Sequence, residues 1–154
     1  MSVTIETKGE SFEKWINTRI EGKERQIEAV LEKAGLDCLS EARRNGKYTD
    51  RTGNLRSSTG YAVVVKGKVV NKSNFAKVPG QPGIKNTGNG SLTGMELLDN
   101  LCSEESGTAL IFVAGMNYAK YVEARQYNVL ESAYALAKRQ IKSNLNMIFK
   151  DQEK

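Results

Sequence analysis

Residues 108–113 read TALIFV, a stretch that is apolar on both faces of an extended chain. A short run of this kind is typical of a strand that is buried on both sides, so it predicts the central strand of a sheet, ended by Gly115. Upstream, residues 60–71 predict a β-hairpin. Segments 61–65 and 68–71 are rich in β-branched residues, and Lys66-Gly67 supplies the turn between them.

Helical patterns flank these strands. Residues 9–45 predict one long helix, because apolar residues recur there at three- and four-residue steps. Thr7 and Glu10 have the spacing of a capping box, and Asn45-Gly46 is a natural end. Gly22 and Gly35 are the places where this helix could break.

A second long helix is predicted over 128–149, with Asn128 and Glu131 able to cap its start. A short one is predicted over 95–102. The two long helices are amphipathic and cannot bury their apolar faces alone. The sequence therefore predicts an α+β fold, in which a long N-terminal helix and a C-terminal helix pack on a small antiparallel β-sheet.

The length of 154 residues fits a single domain over 1–154. Residues 72–94 contain Pro79-Gly80, Pro82-Gly83 and Gly88-Asn89-Gly90, which favour a mobile Gly/Pro-rich loop. The tail 150–154 is expected to fray.

The charge is uneven along the chain. Residues 51–90 hold seven Lys or Arg and no Asp or Glu, whereas residues 91–125 hold two basic and five acidic residues. A basic block of this kind has two interpretations. It binds an anionic partner, or it is a solvated surface whose positive charge is balanced by acidic residues of the first helix. The seven basic residues of this block are Arg51, Arg56, Lys66, Lys68, Lys72, Lys77 and Lys85.

Several classes of chemistry are excluded or disfavoured. Histidine is absent, which excludes a Ser/His/Asp triad, a Cys/His dyad and any zinc site that needs imidazole. Two cysteines are too few for a disulfide framework or a four-thiolate zinc site. Cys38 is expected in the core, and Cys102 beside acidic residues is not expected to form a reactive thiolate. In the stretch 83–90 (GIKNTGNG) Lys85 stands in the wrong place for a P-loop.

We therefore expect a protein that is not an enzyme and has no cofactor and no metal site. No apolar run approaches the length of a membrane span, and residues 1–10 do not have the pattern of a signal peptide. These features predict a soluble protein that is made in a reducing compartment and makes no membrane contact.

Two short motifs remain. In the first, residues 52–58 read TGNLRSS. Thr52 can cap a single helical turn, Gly53 permits a tight entry, and Leu55 can anchor the turn to the core.

The second motif reads NYAKYVE over 117–123. In an extended chain Tyr118, Lys120 and Val122 would share one face; in a helix Tyr118, Tyr121 and Val122 would align. The tyrosines either complete the core under the last helix or form an interface.

The order of these features resembles the head–tail joining and tail-completion proteins in the neck of tailed bacteriophages. That family has a long first helix, a Thr-Gly-x-Leu-Arg-x-Ser stretch before the strands, a Tyr-Ala-x-Tyr-Val-Glu stretch after them, and a final helix. The positions that carry the resemblance are Thr52, Gly53, Leu55, Arg56, Ser58, Tyr118, Ala119, Tyr121, Val122 and Glu123. The chain departs from the family at Ala124-Arg125, where Gly is usual, and at 128–133 (NVLESA), which lacks two prolines. Residues 78–94 and the short helix resemble an insertion.

The resemblance implies a non-enzymatic virion or prophage protein that acts as a ring, often six-fold, with copies of itself and with other neck or tail proteins. Such a protein is made in the host bacterial cytoplasm and ends in the virion, where DNA passes through the ring and touches it transiently. In this interpretation segment 51–90 of one subunit faces the acidic segment 91–125 of the next. The alternative is a DNA-binding module that uses the same lysines. We prefer the contact between subunits, because a strongly basic lumen would retard DNA.

Overall fold

The computed structural model describes residues 2–6 as backbone, and residues 23–86 and 88–150 in full. The strands are β1 (Ser2–Glu6), β2 (Thr59–Val65), β3 (Lys68–Lys72) and β4 (Ala109–Ala114). The helices are α1 (Glu24–Asn45), α2 (Asn54–Ser57), α3 (Gly90–Glu104), α4 (Ala119–Ala124) and α5 (Glu131–Lys150). The fold is α+β, as predicted.

The sheet has four strands in the order β1-β4-β2-β3, and every neighbouring pair is antiparallel. All six residues of β4 are buried, and this strand pairs with β1 on one side and β2 on the other. The prediction of a buried central strand is therefore confirmed. The hairpin of β2 and β3 is also confirmed, with its turn at Lys66 and Gly67.

The sheet separates two apolar cores. On one face α1 and α5 pack against each other and against residues such as Val63, Leu110 and Phe112. On the other face α3 packs through Leu98 against Ile111. The sequence predicted two long helices on the sheet. It also predicted the short third helix, but not that this helix covers the opposite face of the sheet.

The predicted loop over 72–94 is wrong at its C-terminal end, and the helix predicted over 95–102 is longer than expected. Helix α3 already begins at Gly90. The glycines there indicated a loop, but the structure uses Gly94 for close packing: a Cβ on it would lie 2.3 Å from the carbonyl oxygen of Ser58. A helix that lies this close to a backbone requires a residue without a side chain.

In the remaining segment, 73–89, the described residues 73–86 are attached to the body by hydrogen bonds. The Val78 N–H donates to Ser57 Oγ at 2.8 Å, and the Gln81 N–H donates to the Arg51 carbonyl at 2.9 Å. The Asn86 side chain donates to the Val78 carbonyl at 3.0 Å. The loop therefore follows the first motif closely.

Helix α5 follows its prediction closely, and α1 does so from Glu24 onward; Lys23, the N-cap of α1, is not helical and is next to Gly22, one of the two places where the predicted helix could break. Helix α1 runs through Gly35 and ends at Asn45; positions 9–22 of the predicted helix, with Gly22 and the cap at Thr7 and Glu10, lie outside the described residues. Helix α5 starts at Glu131, and the Asn128 Oδ1 accepts the Ser132 N–H at 2.9 Å. Of the tail, Lys150 ends α5 and residues 151–154 lie outside the described residues.

Cys38 lies in the core between the two long helices, as predicted, and its thiol donates to the Ala133 carbonyl at 3.1 Å. Burial raises its pKa from 9.0 to about 12. Burial also raises the pKa of Cys102, with Asp99 adding to the effect. Neither thiol has the environment of a reactive thiolate.

Stability is expected to fall in alkaline solution because of Cys38. A thiol whose pKa is raised in the folded state favours folding below its unfolded pKa, and this contribution is lost as the pH rises from about 9 towards about 12. Urea unfolding at about pH 7 and about pH 10.5 measures the loss. Cys38→Ala should show a smaller loss than the unsubstituted protein, and equal losses would contradict the assignment.

Candidate functional site

The first motif forms the single helical turn α2, which enters the fold through a tight backbone turn. Gly53 has a φ of +78°, and a Cβ there would lie 2.0 Å from the Val78 carbonyl oxygen. The Asp50 carboxylate accepts the N–H groups of Gly53 at 3.0 Å and of Arg56 at 2.9 Å. Thr52 Oγ1 accepts the Asn54 N–H at a longer 3.3 Å.

The prediction that Thr52 caps α2 is wrong: Gly53 occupies the N-cap position without a side-chain cap hydrogen bond, and Asp50 makes more of the contacts that hold the turn than Thr52 does. Sequence reasoning missed Asp50. The signal that could have found it is an Asp shortly before a glycine, since Asp side chains bond to backbone N–H groups in such turns.

The other members of the first motif are structural. Leu55 is 2% exposed and lies in the core under α1 and α5. Ser58 ties the motif to the end of β4, because the Gly115 N–H donates to both its carbonyl oxygen and its Oγ at 3.1 Å. The Arg56 guanidinium lies 4.6 Å from the centre of the Tyr48 ring, and its Nε donates to the Arg43 carbonyl at 3.0 Å.

The second motif forms helix α4, so the helical alternative is the one that the structure adopts. Ala119 is fully buried, whereas Tyr118 and Tyr121 are exposed, Tyr121 to 63%. The Glu123 carboxylate turns inward and accepts the N–H groups of Val129 and, at 3.0 Å, of Leu130. Glu123 therefore holds the turn that leads into α5.

Replacing Glu123 with Gln is expected to destabilise the protein by about 1–2 kcal/mol, because a neutral amide is a weaker acceptor for these N–H groups at the start of a helix. Urea unfolding measures the change. Glu104→Gln, at an exposed position of α3, is the matched control and should stay within about 0.5 kcal/mol. An equal effect of the two substitutions would contradict the role of Glu123.

The second motif borders an open groove of about 610 Å³, whose lining also includes Arg51, the residue just before the first motif. One wall is formed by residues that come after the end of α1 in the sequence, and the other wall is formed by α4 and the turn after it. The lining residues are Lys47, Tyr48, Thr49, Arg51, Tyr118, Tyr121, Val122, Arg125 and Tyr127. We call this surface the tyrosine groove.

The tyrosine groove is cationic and aromatic. Its lining includes Lys47, Arg51 and Arg125 and no carboxylate. The neighbouring acids, Asp50 and Glu123, are engaged by backbone N–H groups. The positive charge of the groove is therefore not balanced by its own lining.

Two tyrosines of the groove, Tyr48 and Tyr118, keep their hydroxyls protonated in neutral solution. Burial raises the pKa of Tyr48 to about 12, and burial together with Asp50 raises the pKa of Tyr118. These two rings therefore offer neutral hydroxyls at the edge of a large apolar surface, a combination that is enriched at interfaces.

The structure places some of the predicted site residues in the tyrosine groove and the other motif positions in the frame that supports it. The groove brings together Arg51, Tyr118, Tyr121 and Val122. The remaining motif positions are structural, namely Thr52, Gly53, Leu55, Arg56, Ser58, Ala119 and Glu123. Sequence reasoning missed Lys47, Tyr48, Thr49, Arg125 and Tyr127, because nothing in their spacing shows that the ends of α1 and α4 are neighbours.

The lysines of the basic segment are partly balanced within the chain. Lys66 forms an ion pair with Glu24 of α1, and Lys72 pairs with Asp99 of α3 at 2.7 Å. Lys68, Lys77 and Lys85 are exposed and lie outside the groove lining. Among the described residues, the interpretation of a surface balanced by the acidic first helix thus applies to Lys66, whereas Lys72 is balanced by α3.

Within residues 23–86 and 88–150, no group of three or more Cys, Asp and Glu side chains is arranged to hold a metal ion. The described helices also include none with the length and apolar character of a membrane span. Fold and surface together define an α+β domain that carries an aromatic, cationic groove. No protein-family profile, curated protein or solved structure matches this chain.

Proposed function

We propose that the protein is a structural component of the head–tail junction of a tailed bacteriophage or prophage, where copies of it join in a ring during tail completion or head–tail joining. The observation that carries this proposal is that the exposed tyrosines of the second motif, Tyr118 and Tyr121, lie in the tyrosine groove together with Arg51, the residue just before the first motif. Exposed tyrosines beside arginines are typical of protein interfaces, where both residue types are enriched.

The buried members of the motifs support the same proposal. They fix the positions of α2 and α4; α4 lines the groove, and Arg56 of α2 lies against the ring of the groove residue Tyr48. A rigid frame under an exposed aromatic surface suits a protein that acts by binding rather than by chemistry. The partners are copies of this chain, in a ring that could be hexameric, and other neck or tail proteins. The work takes place in the host bacterial cytoplasm during assembly, and then in the virion.

The test is to mix the purified protein with connector and tail-tube proteins from the same phage or prophage genome and to image the products by electron microscopy. We expect rings on the end of one of these partners. Reproducible failure to join any of them, with folded protein, would contradict the proposal. A portal, major capsid or tape-measure gene nearby would support it independently.

DNA binding is the second candidate, favoured by the exposed Lys77 and Lys85 on segment 73–89. Binding to duplex DNA should weaken steeply as salt is added, because released counterions drive it. Absence of binding at low salt would exclude this candidate.

A further inference from the structure

Helix α3 has a solvent-exposed face on the side away from the sheet. Gly94, Leu98 and Cys102 face the sheet and are buried. The opposite side carries two large apolar residues, Leu92 (48% exposed) and Met95 (36% exposed). With the exposed acids Glu96 and Asp99 they follow the i, i+3, i+4, i+7 pattern of one helix face; we call Leu92, Met95, Glu96 and Asp99 the α3 stripe.

The α3 stripe and the tyrosine groove are complementary. The stripe pairs two apolar side chains with acids, of which Asp99 is already held by Lys72. The groove pairs apolar ring surface with three cations and no acid. A helix that lies in a groove with anchors at this spacing is a common form of protein recognition.

The two surfaces belong to different sides of the molecule. Helix α3 covers the sheet face opposite to α1 and α5, and no residue of the stripe lines the groove. A contact between them therefore joins two copies. Because the two contact surfaces differ, the contact is head to tail, and repeating it closes a ring or extends a filament.

The edge strand β3 is a weaker candidate for joining copies. It has five residues, its pairing shifts register between Val63 and Val64, and it carries Lys68 and Lys72. Short length, bulges and edge lysines are features by which proteins prevent edge strands from pairing.

We propose that the α3 stripe of one copy docks in the tyrosine groove of the next, with Leu92 and Met95 against the tyrosines and Glu96 against the arginines. This inference rests on the proposed function, since it names the contact that builds the ring. It also changes the contact that we expected between subunits. The acidic surface still lies in segment 91–125, but the cations that meet it are Lys47, Arg51 and Arg125 of the groove and not the lysines of segment 51–90.

Charge reversal tests the contact in the full chain. The groove variant combines Arg51→Glu and Arg125→Glu, and the stripe variant is Glu96→Arg. Each alone should weaken self-association in the assembled ring by roughly 10- to 100-fold, since it places like charges together. Mixing the two variants should restore association in an assembly in which they alternate, because both contacts between unlike copies join opposite charges, one with the native charges and one with the reversed charges. Arg139→Glu with Lys142→Glu, at exposed positions of α5, makes the same change in charge and should have no effect.

A second measurement does not depend on the charge variants. Leu92→Cys with Tyr121→Cys should form a disulfide between copies in assembled protein, because the proposed contact brings these positions together. Leu92→Cys with Met147→Cys is the control, since Met147 is equally exposed (65%) but lies on α5. The native thiols are both buried.

The outcomes separate the inference from the proposed function. Restored association, or the specific crosslink, supports the inference. Rings that form unchanged with both charge variants, or no preference between the two cysteine pairs, overturn it and leave the proposed function standing. Binding of duplex DNA that the groove variant abolishes overturns it in favour of a nucleic acid partner. If the unsubstituted protein associates neither with itself nor with any neck or tail protein, both proposals fail.

Discussion

Replacing Leu55 with alanine is expected to lower the free energy of unfolding by about 2–5 kcal/mol. Leu55 projects from the short helix α2 into the core under α1 and α5 and is 2% exposed. The substitution removes apolar contacts and leaves a cavity that the surrounding elements fill only in part. Because a domain of this size has a total stability of about 5–15 kcal/mol, the loss is a large fraction of it.

Urea unfolding of the variant measures this loss, and Leu36→Ala is the matched control. Leu36 lies on α1 and is 59% exposed, so the same chemical change there should stay within about 0.5 kcal/mol. If Leu55→Ala were as mild as Leu36→Ala, the first motif would not be anchored in the core as the structure has it.

The second large effect is expected at Gly53, where an alanine should cost about 2–4 kcal/mol. Its φ of +78° strains any residue with a side chain, and the new Cβ would also lie 2.0 Å from the Val78 carbonyl oxygen. Segment 73–89 would have to move away from α2, which breaks the hydrogen bond from the Val78 N–H to Ser57.

Gly83 separates the two causes. Its φ is +83°, but nothing lies within 4 Å of a Cβ built there. Gly83→Ala should therefore show the backbone strain alone, about 1–2 kcal/mol. Equal losses of stability at Gly53 and Gly83 in urea unfolding would contradict the close approach of the loop to the first motif.

The elements that local patterns specify were predictable from the sequence. Strand β4 was found because it is apolar on both faces, and the hairpin because β-branched runs flank Lys66-Gly67. The described parts of the two long helices follow from their apolar periodicity. In each case the signal lies within the element itself.

Features that depend on distant backbone could not be predicted in the same way. Glycines 90 and 94 favour a loop when neighbouring residues alone are considered, yet they belong to α3 because that helix lies against Asn54 and Ser58. The tyrosine groove has the same origin, since Lys47 and Arg125 become neighbours only after folding. The inward turn of Glu123 likewise depends on the path of the chain before α5.

The residues of the two motifs differ in burial. Leu55, Ala119 and Glu123 hold the frame, whereas Tyr118 and Tyr121 remain at the surface. Substitution of the first group should reduce stability, and substitution of the exposed tyrosines should reduce association while stability is kept. The fold does not require an exposed tyrosine, so Tyr118 and Tyr121 are the motif residues that indicate a partner.

Hydroxyl-radical footprinting of the isolated and the assembled protein tests most directly whether the tyrosine groove is where this chain meets its partner. Tyr121 on α4 and Met147 on α5 are exposed to 63% and 65% in the single chain, so both should be labelled there. In the assembled protein we predict that labelling of Tyr121 falls severalfold while that of Met147 is unchanged. Assembly that leaves Tyr121 as reactive as in the isolated chain would contradict the account.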